Sequence, residues 1–307
     1  MTATQSSPAS TQTGPVLILL FSATLWGLSW WPVKQLVAIG VTGALLPMLA
    51  YGIIGISTSW MLWQERHQWR RQTALLLALA LVGGWANTAF VSALMVGDVV
   101  RVMFLFYLSP VWSVLGGRIF LGERIPAARA VAVAVAVVGL WLVITGGGAP
   151  QDISLTLADA LALSAGLGFA GNNIIARAAQ DIPLRSKTVS VFLGCGLLSG
   201  LVFLWQGEPV PDLPTFAWLG VVLYGFNWLL VATATWQYGV THIESGRAGV
   251  ILLAELLVAV VSASWWGGEQ LSAIEWIGGA LIASAALIEA LDIGHKTAPY
   301  PLNKESA

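Results

Sequence analysis

Charge is the scarcest property of this sequence. Lys and Arg supply 14 of 307 residues and Asp and Glu 15, or 9% in all, where soluble domains carry about 25%. So few charged side chains cannot cover a globule in water, so most of the surface must meet lipid. Cysteine is almost absent: Cys195 stands alone in an apolar run, which excludes an internal disulfide and a cysteine-based metal site and reads as packing. The net charge is −1 and no basic stretch alternates with aromatics, so there is no electrostatic footprint for nucleic acid. His67, His242 and His295 are scattered, and neither an HExxH pattern nor a P-loop occurs. An enzyme, an ATP-driven pump and a bound cofactor or metal all lack their chemistry here.

What is abundant is apolar length. Hydrophobic residues make up 57% of the chain, in runs that do not alternate and that approach the ~20 residues an α-helix needs to cross a bilayer. Helices satisfy their own backbone in lipid, so the fold class expected is an all-α integral membrane protein with ten spans, at 16–38, 42–63, 73–95, 99–119, 128–146, 157–177, 187–206, 214–238, 246–266 and 271–291. Residues 1–15 are polar and lack Lys and Arg, which fits a short disordered tail rather than a signal peptide. A second polar tail is expected at 292–307.

The connections between spans set the orientation, because Lys and Arg accumulate in cytoplasmic loops. With both termini in the cytoplasm, that side receives Arg66, Arg70, Arg71, Arg118, Arg124, Arg129, Arg177, Arg185, Lys187, Arg247, Lys296 and Lys304. Only Lys34 and Arg101 fall on the other side, where snorkelling to the interface is expected of them. Tryptophan agrees: Trp60, Trp63 and Trp69 mark an inner rim, and Trp30, Trp31, Trp205, Trp218, Trp265, Trp266 and Trp276 an outer one.

Shifting the chain by 146 positions aligns Arg101 with Arg247, Leu105 with Ile251, Val114 with Val260, Gly122 with Gly268 and Glu123 with Glu269. Two five-span units follow, 16–146 and 157–291, joined by a connector at 147–156. Because five is odd, the second unit lies inverted in the membrane. Inverted repeats are typical of secondary transporters, whose substrate site lies near the midplane between them.

Leu25-Trp26-Gly27 in span 1, Phe106-Tyr107-Leu108-Ser109-Pro110 in span 4, and Gly-Glu at 122–123 and 268–269 resemble the drug/metabolite transporter superfamily in its EamA-type branch. Within it, the chain is most similar to bacterial aromatic amino acid exporters. The resemblance implies a carrier in the bacterial inner membrane with a central cavity lined by spans 1, 3, 4, 6, 8 and 9, and it alone implies outward transport. The branch often repeats the span 4 proline in span 9; here Pro110 aligns with Leu256, so span 9 is expected to run straighter.

Polar groups at membrane mid-depth are expensive and mark pathways or buried contacts. Asn87 in span 3, Ser109 in span 4, Asn227 in span 8 and Glu255 in span 9 share that depth. Glu255 reads equally as a counter-charge for an ammonium or a proton site, and as a hydrogen bond between helices. Asn172 and Asn173 are neighbours about 100° apart on a helix, so one of them, Asn172, is taken as a candidate. Rings at Trp30, Trp85, Phe90, Tyr107, Phe169 and Tyr224 complete the candidate substrate-binding set, because rings from several helices can stack on an apolar or aromatic solute. Gly166, Gly168 and Gly171 match a GxGxxG expression, but inside a membrane span such residues let helices approach. The Gly196–Gly200 spacing has the same use, and a monomer or weak homodimer is expected. These residues point to export of amino acids, aromatic ones included, with a drug or other small-metabolite exporter as the alternative.

Overall fold

The computed structural model describes residues 13–121, 125–146, 155–207, 209–243 and 245–296, and among them there are helices and no strands. The helices are α1 (Thr13–Gly27), α2 (Trp30–Ala38), α3 (Leu45–Thr58), α4 (Trp60–Gln64), α5 (Arg66–Trp69), α6 (Thr73–Val96), α7 (Val99–Phe106), α8 (Ser109–Leu121), α9 (Ala127–Thr145), α10 (Leu157–Ala178), α11 (Leu184–Gln206), α12 (Thr215–Leu223), α13 (Val231–His242), α14 (Ser245–Trp265) and α15 (Ala273–Lys296). A 3-10 turn at Arg70–Gln72 joins α5 to α6, and a π-helical turn at Tyr224–Leu230 joins α12 to α13. Residues 1–12, most of the connector, the Gly122-Glu123 corner and the end of the C-terminal tail lie outside the described residues.

Six stretches are long and apolar enough to cross a membrane: Thr13–Ala38, Leu45–Gln64, Arg66–Val96, Val99–Ile119, Leu184–Gln206 and Thr215–Val240. The other expected spans coincide with α9, α10, α14 and α15, which include the apolar helical stretches Ala130–Thr145, Leu253–Trp265 and Ala273–Ile288, and α10 is less apolar than the six. In α10 the cause is visible in the sequence, since Asp159, Asn172, Asn173 and Arg177 dilute its hydropathy. Exposed tryptophans form two rims, Trp60 and Trp63 at one end, Trp31, Trp205, Trp265, Trp266 and Trp276 at the other.

Several spans expected to be continuous are interrupted. Proline has no N–H, so Pro32 leaves the Leu28 carbonyl without its helical donor, and Pro110 does the same to Phe106. The chain breaks at Leu28–Ser29 and at Tyr107–Leu108, where shorter bonds such as Leu108 N to Leu105 O (3.3 Å) replace the regular ladder. The π-helical turn in Thr215–Val240 has no proline; Trp228 within it donates to the Leu25 carbonyl at 2.9 Å. That carbonyl is free because Ser29 N bonds Trp26 O instead (3.1 Å).

The helices pack in matched pairs. Under the expected shift by five spans, contacts of α6 with α10 correspond to those of α1 with α13, and contacts of α7 and α8 with α10 to those of α1 with α14. The pairs α3 with α11, α7 with α14 and α9 with α15 map onto themselves. Two of these self-matched crossings are made backbone to backbone. A Cβ on Gly196 would lie 2.6 Å from the Gly52 Cα, and one on Gly139 would lie 2.6 Å from the Gly278 carbonyl oxygen.

Candidate functional site

A cavity of about 310 Å³ opens between α6, α10, α11 and α13, with Trp26 of α1, Phe106 of α7 and Glu255 of α14 completing its wall. That volume lies at the lower end of the ~300–1,000 Å³ of small-molecule sites. The lining runs from Leu79 to Phe90 on α6, from Phe169 to Ala176 on α10, from Leu184 to Phe192 on α11 and from Thr233 to Val240 on α13. It therefore occupies one half of the bundle's length, from the Phe90, Phe106 and Phe169 rings to Leu184, Lys187 and Val240. The contribution of α11, the seventh expected span, was not anticipated.

The deep end is aromatic. Phe106 sits at its centre, 4.6 Å from Phe90 and 5.5 Å from Phe169 between ring centroids, with Tyr107 edge-on at 5.9 Å. Phe106 is the last residue before the break in the fourth stretch, and its carbonyl lies only 2.8 Å from a Cβ built on Gly166. Gly166 thus permits close contact between α10 and the end of α7. Gly168 and Gly171 likewise face Val82 and Ala86 on α6, which is the packing use expected of the GxGxxG pattern.

Polar groups interrupt this wall at defined places. The Asn87 Oδ1 accepts from the Tyr51 hydroxyl at 3.0 Å and its Nδ2 donates to Gly83 O at 2.9 Å, so the amide is fixed in orientation. Glu255 lines the cavity and shares a side-chain hydrogen bond with Tyr107. The Asn172 Oδ1 is buried and has no partner among the described residues. Away from the rings, Lys187 lines the wall while its Nζ donates to the Ala176 carbonyl at 3.0 Å, near the last turn of α10.

Of the candidates, Asn87, Phe90, Phe169, Asn172 and Glu255 come together in this wall. Tyr107 stands behind Phe106 and reaches the site through Glu255. Ser109 and Tyr224 are buried elsewhere in the core. Trp30 is buried too, its Nε1 donating to Ser262 Oγ at 2.9 Å, so it ties α2 to α14 and is not a free interfacial ring. Trp85 is exposed on the outside of the bundle: two residues from Asn87 is about 200° around a helix. Asn227 lies on the exposed side of the π-helical turn, whose wider winding turns it away from the direction an α-helix would give. Phe106, Trp26, Trp236, Gln237 and Lys187 line the cavity without having been candidates. The polar Gln237 inside an apolar run was a signal for one of them.

At the opposite end of the bundle, polar contacts gather around the start of α7, beside a second cavity of about 330 Å³ lined by Gly97, Arg101 and Asp159. Arg101 pairs with Asp159 through two bonds, Nε to Oδ1 at 2.7 Å and Nη2 to Oδ2 at 2.8 Å. Glu269 accepts from the Val99 and Val100 N–H groups at 2.7 and 2.9 Å. Lys34 Nζ donates to Gly97 O at 2.8 Å. Lys34 and Arg101 are thus held by protein groups, where snorkelling had been expected.

Comparison with known proteins bears on what such a cavity serves. The model of the EamA-like transporter family matches residues 13–145 and 156–289. An uncharacterized transporter of Archaeoglobus fulgidus is 26% identical over 71% of this chain and 77% of its own. A riboflavin transporter of Rhizobium johnstonii is 28% identical over 73% and 70%, and a probable terminal-alkyne amino-acid exporter of Streptantibioticus cattleyicolor 27% over 71% and 74%. A crystal structure with 22% sequence identity superposes with a TM-score of 0.59 over 92% of this chain and 99% of the other, a likeness of fold.

Proposed function

Since the chain belongs to the EamA-like transporter family, we propose that it exports amino acids, aromatic ones included, from the cytoplasm across the bacterial inner membrane by alternating access. In this reading α9, α10, α14 and α15 complete ten spans, both termini are cytoplasmic, and the five-span units are inverted repeats. The matched helix contacts and the two family matches support the repeat. The orientation rests on the distribution of Lys and Arg.

The observation that carries the substrate class is the juxtaposition, in one wall, of the Glu255 carboxyl and the Asn172 Oδ1, partnerless among the described residues, with the Phe90–Phe106–Phe169 cluster. Two acceptors suit an ammonium, and the rings suit an apolar or aromatic side chain. The name of the Streptantibioticus relative points the same way. A second reading, export of another planar metabolite, rests on the same rings and on the relative named for riboflavin.

The test is efflux of radiolabelled phenylalanine, threonine and a quaternary ammonium dye from proteoliposomes, with and without a pH gradient. Saturable phenylalanine efflux, lost in Glu255→Gln, is the expected result. Movement of the dye alone would refute the amino acid assignment, and dependence on the gradient would make Glu255 a proton site as well.

A further inference from the structure

We propose that Glu269 and Asp159 are positioning residues that latch the end of the bundle opposite the aromatic cavity and so set which side of the membrane that cavity faces. The proposal rests on the alternating-access reading above. It concerns residues that none of the substrate arguments used.

The latch contacts converge on one short rod. Helix α7 spans Val99–Phe106, about 12 Å at 1.5 Å per residue. It is bounded by the Gly97-Asp98 corner on one side and by the Tyr107–Leu108 break on the other. Its first turn is held by Glu269 and Asp159, the corner before it by Lys34, and its last residue, Phe106, forms the deep aromatic wall of the cavity. Whatever fixes the N-terminus of this rod fixes where Phe106 stands. Phe106 in turn separates the cavity from the polar end, so releasing the first turn frees the partition between them.

The chemistry suits a contact that must form and break. The first N–H groups of a helix have no intrahelical partner, and a carboxylate satisfies them with charge-assisted bonds. When such a contact opens near the membrane surface, water takes over each group, whereas a separated apolar seal has no such replacement. A comparison within the same corner shows that Glu269 is not needed to cap its own helix. Ser272 and Glu275 do that: Ser272 N and Oγ each lie 2.9 Å from Glu275 Oε2. Glu269 instead reaches another helix far away in the sequence. Asp159 serves both ends, accepting from Thr156 N at 2.9 Å at the start of α10 while pairing with Arg101.

The experiment reads sidedness and needs no substrate. In a Cys195→Ala background, Ala86→Cys places one thiol on the cavity wall, and a membrane-impermeant maleimide is applied from either side of oriented vesicles. The parent should label from the side on which the cavity opens. Glu269→Gln and Asp159→Asn should each raise labelling from the far side at least tenfold, and Lys34→Met, which removes a single bond, about threefold. Ser272→Ala, a local cap at the same end, should lower the melting temperature and leave the ratio of the two rates unchanged. Far-side labelling at the parent rate in Glu269→Gln and Asp159→Asn, or in Lys34→Met should those two not fold, overturns the latch. If the parent labels from outside and the variants gain labelling from inside, the latch stands and the orientation is reversed. Loss of amino acid efflux specificity with the labelling pattern intact would remove the substrate assignment alone.

Discussion

The Tyr107 hydroxyl hydrogen-bonds the Glu255 carboxyl, joining the break between α7 and α8 to the middle of α14. One of these residues interrupts its helix and the other lines the cavity, so a solute meeting Glu255 is one bond away from the least regular backbone of the fourth stretch. Tyr107→Phe keeps the ring beside Phe106 and removes the hydroxyl that contacts Glu255 and the Leu256 backbone. Phenylalanine efflux from proteoliposomes should fall in the order parent, Tyr107→Phe, Glu255→Gln, with roughly tenfold or more between the extremes, since losing a charge-assisted contact of ~1.5–3 kcal/mol is about that factor. Equal rates in all three would remove Glu255 from the pathway.

Phe106 discriminates among substrates if its ring packs against theirs. Phe106→Ala should reduce phenylalanine efflux more than threonine efflux, by about threefold to tenfold in the ratio, as expected for loss of an aromatic pair worth ~0.5–1.5 kcal/mol. A parallel fall for both amino acids would assign Phe106 to packing only.

Trp228→Phe removes the bond to the Leu25 carbonyl and leaves an acceptor in the first stretch unpaired. Buried polar contacts in membrane bundles contribute about 0.6–2 kcal/mol, and unfolding in mixed micelles should register a loss of that order. Tyr51→Phe, which takes away the donor that orients Asn87, should cost a similar amount; an unchanged unfolding midpoint in either variant contradicts its hydrogen bond.

The two glycines of the Gly196–Gly200 pattern should differ. A Cβ on Gly196 meets the Gly52 backbone at 2.6 Å, whereas on Gly200 the nearest atom is the flexible Met48 sulfur at 3.4 Å. Gly196→Val should destabilise the protein by about 1–3 kcal/mol or prevent its folding, and Gly200→Ala should be tolerated. Thermal unfolding by size-exclusion fluorescence separates the two.

Where the sequence carried a one-dimensional signal, it could be read. Apolar length located the helices, although the breaks at Pro32 and Pro110 fall within spans expected to be continuous. Which way a side chain faces was harder to read. Trp85 and Asn87 share a depth but not a face, and nothing in an unbroken apolar run around Asn227 announces a π-helical turn. Phe106 was visible only as part of a motif, because its place in the cavity depends on a backbone break one residue later. Arg101 and Asp159 lie in separate stretches, and their pairing is a matter of tertiary structure that no local pattern encodes.

The crossings at Gly52–Gly196 and Gly139–Gly278 have a mechanical consequence. Main chain rests on main chain in both; only backbone is met at the first, while the Ile282, Val143 and Leu142 side chains close around the second. The first behaves as a bearing, on which the helices can swivel a few degrees without any rotamer at the contact having to change, and the second as one ringed by side chains. A bulky residue at either bearing would stiffen the swing even in a protein that folds and binds its solute normally.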